Sequence, residues 1–479
     1  MAQDTVRLEH HPKGLYVLFA TEMWERFSFY SMLAMFTLYL QDPAQGFGWT
    51  KAQATTLYSN YLMFVYASPL VGGFLANRKL GFRRAVMLGG IFFIAGHLLL
   101  SFRSLEIVYV ALTCLVIGNG FFKPNISAMV GNLYPAGSHL KDRAYNIFYM
   151  GINVGAFLAP VTAEFVKGHF GFHRAFAVAA GGMVISVAIL WWFQHDVDIH
   201  MRQPAVRSPH DAVRSTAVTE DIPPATAEPQ DAVQSSSWKM ALKNDLPLGD
   251  DPLSIQRPID AVPDWQRIGV LLVIFLIVIV FWMVFHQNGS TLTYWANDNT
   301  DWNVSGVIAH AINPCWVVTL TFPLIWLWKW LDGKGLEPST PTKMAIGMFM
   351  AGLAFFILYA AASVGEAALF ATDDPLKHGF KVSPAWLVGA YAVLTLGELM
   401  LSPMGLALVA KVAPPRYLGL MMGGWFVATA IGNKLTVIGV YWTEWMHSTF
   451  WIVLSGLAFA IAVLLLCLLR PLKRAMPGV

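Results

Sequence analysis

The amino-acid sequence predicts an all-α integral membrane protein with twelve transmembrane helices in two halves of six. Three observations predict it. The 479 residues are 56% hydrophobic and only 13% charged, with a mean hydropathy of +0.52, whereas soluble domains carry roughly 25% charged residues. Twelve apolar segments are each long enough to cross a bilayer, for which ~20 helical residues suffice. A single polar stretch, His195 to Pro263, divides them six and six.

The segments run over residues 15–40, 51–76, 84–103, 105–131, 141–168, 173–194, 265–295, 304–331, 341–363, 383–411, 416–443 and 448–470. The domains expected are therefore an N-terminal six-helix bundle at 1–194, a linker at 195–263 and a C-terminal six-helix bundle at 264–479. Rich in Pro, Asp, Ser and Ala, the linker cannot bury enough apolar surface to fold alone. It is read as mostly disordered, with a short amphipathic helix near Trp238 to Leu242. Lys and Arg concentrate in the tails, the linker and the loops that share a side with the N-terminus, so the positive-inside rule places both termini and the linker in the cytoplasm. Met1 to Lys13 is polar, and no removable signal peptide is expected. The location expected is the plasma or inner cell membrane.

The formal net charge of +3 gives no reason to expect nucleic acid. Cys114, Cys315 and Cys467 all fall in expected spans and offer neither a disulfide framework nor a metal-ligand spacing. No metal or cofactor is expected. No Ser/His/Asp arrangement or phosphate loop appears, so an enzyme is not expected either.

Polar residues inside the spans carry the functional signal, because each charge in a bilayer costs several kcal/mol by translocon-type estimates (roughly 2.5–3.5). The first span holds Thr21-Glu22-Met23-Trp24-Glu25-Arg26-Phe27-Ser28-Phe29-Tyr30. At ~100° per residue, Glu22, Glu25, Arg26, Phe29 and Leu33 share one face, with Tyr30 at its margin. That stripe must face other helices or a water-filled cavity. Span four carries Lys123 beside Pro124, whose missing N–H is expected to open the helix around the lysine. Span five carries Asn153, span eight Asn313, and span ten the lone acid Glu398. The N-terminal half thus offers a cation, Lys123, and the C-terminal half an anion. A short zwitterion lying between them would place its carboxylate on Lys123 and its ammonium on Glu398. Each residue also has a structural reading: Lys123 as a partner of Glu22 or Glu25, Asn153 and Asn313 as interhelical hydrogen-bonding groups, Trp425 as packing, and His97 and His310 as core residues. Lys434 is assigned no role.

Two resemblances sharpen this. Gly72-Gly73-Phe74-Leu75-Ala76-Asn77-Arg78-Lys79-Leu80-Gly81-Phe82-Arg83-Arg84 resembles the loop signature of major facilitator transporters, with Asn77 in place of the usual Asp. Glu22-x-x-Glu25-Arg26-Phe27-x-Phe29-Tyr30, Phe122-Lys123-Pro124-Asn125, Phe148-Tyr149-x-x-Ile152-Asn153-x-Gly155 and Gly397-Glu398-x-x-x-Ser402-Pro403 together resemble the proton-coupled oligopeptide transporter family. The resemblance implies a major facilitator fold and import of di- and tripeptides by proton symport. It implies that Glu22, Glu25, Arg26 and Lys123 couple protons, and that Tyr30 and Lys123 hold the peptide carboxylate. Asn153, Asn313 and Glu398 are implied to hold the amino terminus, with Tyr66 and Trp425 lining the pocket. The partners implied are peptides, protons and lipid, with a monomer expected. Nitrate or an amino acid is the alternative cargo.

Departures from the family pattern matter too. Phe29 stands where a second tyrosine is usual, and Ser59 where animal members have a histidine. Leu33 replaces an arginine whose acidic partner would lie in the segment that here reads Phe285-His286-Gln287-Asn288-Gly289. Both members of an outer-gate ion pair are therefore absent together, which leaves neither charge buried alone. The outer gate is expected to close without them. His286, titrating near physiological pH in its ordinary state, is a candidate for tuning the pH optimum.

Overall fold

A computed structural model describes residues 10–134, 140–197, 259, 262–370 and 379–476. Twelve long helices follow the chain: α1 (Lys13–Gln41), α2 (Lys51–Leu75), α3 (Phe82–Leu99), α4 (Leu105–Asn132), α5 (Leu140–Phe170), α6 (Phe172–Trp192), α7 (Asp264–Phe285), α8 (Ala309–Asp332), α9 (Thr340–Phe370), α10 (Pro384–Val412), α11 (Leu418–Leu435) and α12 (His447–Ala475). Each overlaps an expected span. Among the described residues, nine of these segments are long and apolar enough to cross a membrane by length and composition. The other three are α1, α2 and α11; in α1 the apolar run is interrupted by Glu22, Glu25 and Arg26. Most of the 195–263 linker, including Trp238 to Leu242, lies outside the described residues.

Local chemistry sets the helix boundaries. Thr50 and Gln53 cap α2 reciprocally: the Gln53 N–H donates to Thr50 Oγ1 at 3.2 Å, and the Thr50 N–H donates to Gln53 Oε1 at 3.0 Å. Ser383 precedes Pro384, which opens α10 at the position where proline's missing N–H costs nothing. Between α2 and α3 the chain passes a π-helical turn, Ala76–Leu80, and reverses at Gly81, whose φ of +76° is the region glycine adopts without a Cβ penalty.

Span seven keeps its expected extent, Asp264–Asp298 being apolar enough to cross a membrane, but its helix is interrupted. After α7 ends at Phe285, His286–Gly289 forms a 3₁₀ turn and a short helix resumes over Thr291–Asp298. Asn288-Gly289 is a turn-forming pair, and Gln287 stands in for lost backbone bonds by donating to the Met283 carbonyl at 3.2 Å and accepting from Thr291 Oγ1 at 2.8 Å. Span eleven likewise passes from α11 into a 3₁₀ segment, Thr436–Thr443. One expectation needs correction: α4 runs through Pro124 unbroken. Proline has no N–H for the Gly120 carbonyl, and that carbonyl instead faces Gly72 of α2: a Cβ on Gly72 would lie 2.0 Å from it. The two helices therefore touch backbone to backbone, an arrangement that weak Cα–H···O contacts favour.

Buried apolar side chains gather into two cores. One draws on residues 15–197 together with Val307, the other on residues 259–476. At the end of the bundle away from both described termini, polar contacts join the two sets of helices. Thr37 Oγ1 donates to the Gly289 carbonyl at 3.1 Å, and the hydroxyls of Thr55 and Tyr294 lie 3.0 Å apart. Lys51 pairs with Asp298, Lys434 donates to Asn60 Oδ1, and the Ser305 N–H donates to Glu164 at 2.9 Å.

The Gly72–Gly120 approach generates a stability test. Replacing Gly72 with Leu forces α2 and α4 apart, at the ~1–3 kcal/mol typical of overpacking. The melting temperature of the detergent-solubilised protein is expected to fall by several degrees; an unchanged value would contradict the backbone contact.

Candidate functional site

Serine hydroxyls orient α1. Ser28 donates to the Ala179 carbonyl of α6, Ser31 to that of Ala159 on α5 at 3.3 Å, and Ser186 of α6 donates back to the Thr21 carbonyl at 2.6 Å. Such interhelical bonds contribute ~0.6 kcal/mol each in membrane proteins, enough together to set the rotation of the helix. With that face occupied by α5 and α6, Glu22, Arg26, Tyr30 and Leu33 turn toward a cavity of about 270 Å³.

Tyr66 of α2, Lys123 of α4, Asn153 of α5, His286, Asn313 of α8 and Glu398 of α10 line the same cavity. Residues separated by nearly 400 positions in the chain are thus brought to one space. Glu25 does not line it. Wholly buried, it grips the Arg26 guanidinium at 2.5 and 2.6 Å, while Glu22 Oε1 stands 3.5 Å from Arg26 Nε. Glu22 Oε2 is buried and has no hydrogen-bond partner among the described residues, so a proton added there would break no bond with them. Arg26 also lies over the rings of Phe29 and Tyr30, 4.9 and 5.8 Å from their centroids.

Lys123 Nζ sits 5.2 Å from the centre of the Tyr66 ring. Among the described residues no carboxylate lies within 4.0 Å of it. Across the cavity Glu398 accepts a hydrogen bond from Asn313 Nδ2 at 2.9 Å, and no cation approaches it within 4.0 Å among the described residues. The second hydrogen of that amide goes to Thr395 Oγ1 at 3.0 Å. Asn153 Nδ2 donates to the Tyr149 carbonyl at 2.9 Å.

Leu33 and His286 face this cavity together, and neither carries a partner charge. His286 Nε2 lies 3.3 Å from the Tyr66 hydroxyl, and its ring stacks on Trp282 at 4.9 Å. Among the described residues, the ion pair that spans the halves is instead Lys51 with Asp298. Trp425 is not among the lining residues. Its indole packs on Gly405, where a Cβ would come within 1.9 Å of the ring.

Other lining residues escaped sequence reasoning: Tyr149, Asn288, His310, Tyr391 and Ser402. Helical spacing carried the signal for three of them. Tyr149 is four residues before Asn153, His310 three before Asn313, and Ser402 four after Glu398, so each shares a face with a candidate. Among the described residues no group of three or more His, Cys, Asp or Glu could hold a metal ion.

Comparisons with known proteins place the chain among transporters. The model of the POT family matches residues 83–454. A di-/tripeptide transporter of Lactococcus lactis is 30% identical over 98% of this chain and 97% of its own. The peptide transporter YePEPT of Yersinia enterocolitica is 31% identical over 88% and 86%, and the uncharacterised transporter YclF of Bacillus subtilis is 30% identical over 98% and 96%. Among solved structures, a peptide transporter POT in complex with sulfate superposes with a TM-score of 0.79 at 27% identity, covering 98% of this chain and 96% of its own. The chain is a multi-pass membrane protein with the major facilitator fold, and it belongs to the POT family of transporters.

Proposed function

We propose that this chain imports di- and tripeptides by proton symport, through alternating access to the cavity between two six-helix bundles, 1–194 and 264–479. One observation carries the reading: the cavity holds a cation on one bundle and an acid on the other, Lys123 and Glu398, neither with an opposite charge within 4.0 Å among the described residues. A peptide is the complementary object, with a carboxylate at one end and an ammonium at the other. Tyr30 and Lys123 take the carboxylate; Asn153, Asn313 and Glu398 take the ammonium; Tyr66 lines the space between.

Proton coupling follows from the crowding of charges on α1. Deprotonated, Glu22 and Glu25 hold Arg26 and attract Lys123. A proton on Glu22 removes one of the two anions facing these two cations, which frees Lys123 for the substrate carboxylate. Proton and peptide then favour each other's binding. The driving force is the proton gradient, whose electrical part is worth ~2.3 kcal/mol per charge per 100 mV. With the termini on the cytoplasmic side, as the positive-inside rule favours, the contacts at the far end, Lys51 with Asp298 among them, form the closed outer gate. The Leu33 and His286 positions contribute no ion pair to it. A monomer suffices, since each group named belongs to one chain.

Three outcomes test the reading. In proteoliposomes with an imposed pH gradient, Glu22→Gln and Lys123→Ala are expected to abolish concentrative uptake of labelled dialanine. Counterflow should survive in Glu22→Gln, because exchange needs no net proton movement; full concentrative uptake by both variants would sink the coupling scheme. Glu398→Gln is expected to raise the KM for dialanine about 10–100-fold, the effect of losing a charge-assisted bond of ~1.5–3 kcal/mol. The same variant should leave the weak inhibition by N-acetylated dialanine nearly unchanged, and an equal loss for both ligands would argue against an ammonium at Glu398.

The third concerns His286, whose ring lines the cavity with Nε2 3.3 Å from the Tyr66 hydroxyl. A proton there would add a cation to the cavity that already holds Lys123, so His286→Gln is expected to extend uptake toward lower external pH. An unchanged pH profile would remove His286 from the mechanism.

A further inference from the structure

Beside Asn313, one turn earlier on the same face of α8, His310 lines the cavity with only 7% of its surface exposed. Donor counting assigns its tautomer. His310 Nε2 lies 3.0 Å from Thr293 Oγ1, and that hydroxyl spends its single hydrogen on the Asn288 carbonyl at 2.7 Å. Thr293 Oγ1 can therefore only accept, and Nε2–H of His310 is the donor. The proton sits on Nε2, which leaves Nδ1 as a bare acceptor. Among the described residues Nδ1 has no partner, and it keeps accessible surface on a side chain that lines the cavity.

The same accounting applies to its neighbours. Both amide hydrogens of Asn313 are committed, to Glu398 and to Thr395, and Thr395 Oγ1 spends its own hydrogen on the Tyr391 carbonyl at 2.7 Å. Asn313 Oδ1 is left as an acceptor with no donor among the described residues. Glu398 contributes its other oxygen, Oε1. One wall of the cavity thus presents three acceptors and no spare donor among Glu398, Asn313 and His310.

We propose that His310 is a substrate-binding residue: its Nδ1 is the third acceptor for the ammonium group of the peptide, completing a cradle with Glu398 and Asn313 Oδ1. An ammonium carries three N–H donors and no acceptor, which is the complement of this wall. Thr293 acts as a positioning residue that holds the ring in the accepting tautomer. The proposal rests on the peptide-transport reading and adds a specificity: a free amino terminus is distinguished from a blocked one by the number of donors it brings, three against one after acetylation.

The test measures dialanine uptake and its inhibition by N-acetyl-dialanine in proteoliposomes of the full chain. His310→Gln keeps an N–H able to reach Thr293 and removes the acceptor at the Nδ1 position; His310→Asn places a carbonyl oxygen near that position. Gln is expected to raise the KM for dialanine about tenfold with kcat little changed, as for one lost hydrogen bond to a charged group. Inhibition by the acetylated ligand should stay within about twofold, and Asn should recover most of the KM. An unchanged KM in the Gln variant, an equal weakening of both ligands, or no recovery with Asn would each overturn the assignment while leaving the transport reading intact. Absence of dialanine uptake by the folded parent chain would overturn both.

Discussion

A charge in hydrocarbon must find a partner or water, and α1 carries three charges within five residues. That constraint organises the N-terminal half. Ser28, Ser31 and Ser186 fix the rotation of α1 against α5 and α6, and the remaining face delivers Glu22 and Arg26 to the cavity. Glu25 is wholly enclosed, which is tolerable only because Arg26 holds both its oxygens. Removing either partner would leave the other stranded, so the pair makes this helix difficult to rotate or replace.

Against that compensated cluster stands the deliberate incompleteness of the cavity. Lys123 and Glu398 lie on opposite bundles with no opposite charge within 4.0 Å among the described residues. A charge at membrane depth without a counter-ion is costly, and a ligand of opposite sign relieves that cost. On the proposed reading, such a site favours ligands that bring both signs at once. Because its two poles sit on different bundles, a ligand that satisfies both also draws the bundles together, which is how binding can be linked to a conformational step.

Irregular backbone appears where this architecture needs it. The 3₁₀ turn His286–Gly289 interrupts the path of α7 at the cavity and brings Gly289 under Thr37. Non-helical backbone at membrane depth is tolerated where protein supplies the missing hydrogen bonds, and Gln287 does so here. Pro124 tells the opposite story. The helix holds, and the unused Gly120 carbonyl becomes a close contact with Gly72 instead of an opening.

Much of this was legible in the sequence for a simple reason: hydrocarbon leaves few solutions. Twelve apolar runs, each long enough to span, imply twelve helices, and charges in such runs mark a polar interior. Glu22, Arg26, Lys123, Asn153, Asn313 and Glu398 could be picked out because each is costly anywhere else. What the sequence could not determine depends on rotation and on neighbours distant in the chain. Trp425 looks the same in one dimension whether it faces the pocket or Gly405, and His310 was indistinguishable from a core histidine until Thr293 and Asn288 were seen beside it. The break after Phe285 and the continuity through Pro124 are likewise tertiary outcomes. A glycine or a proline states which backbone bonds are possible, and only the packed neighbours decide which of them form.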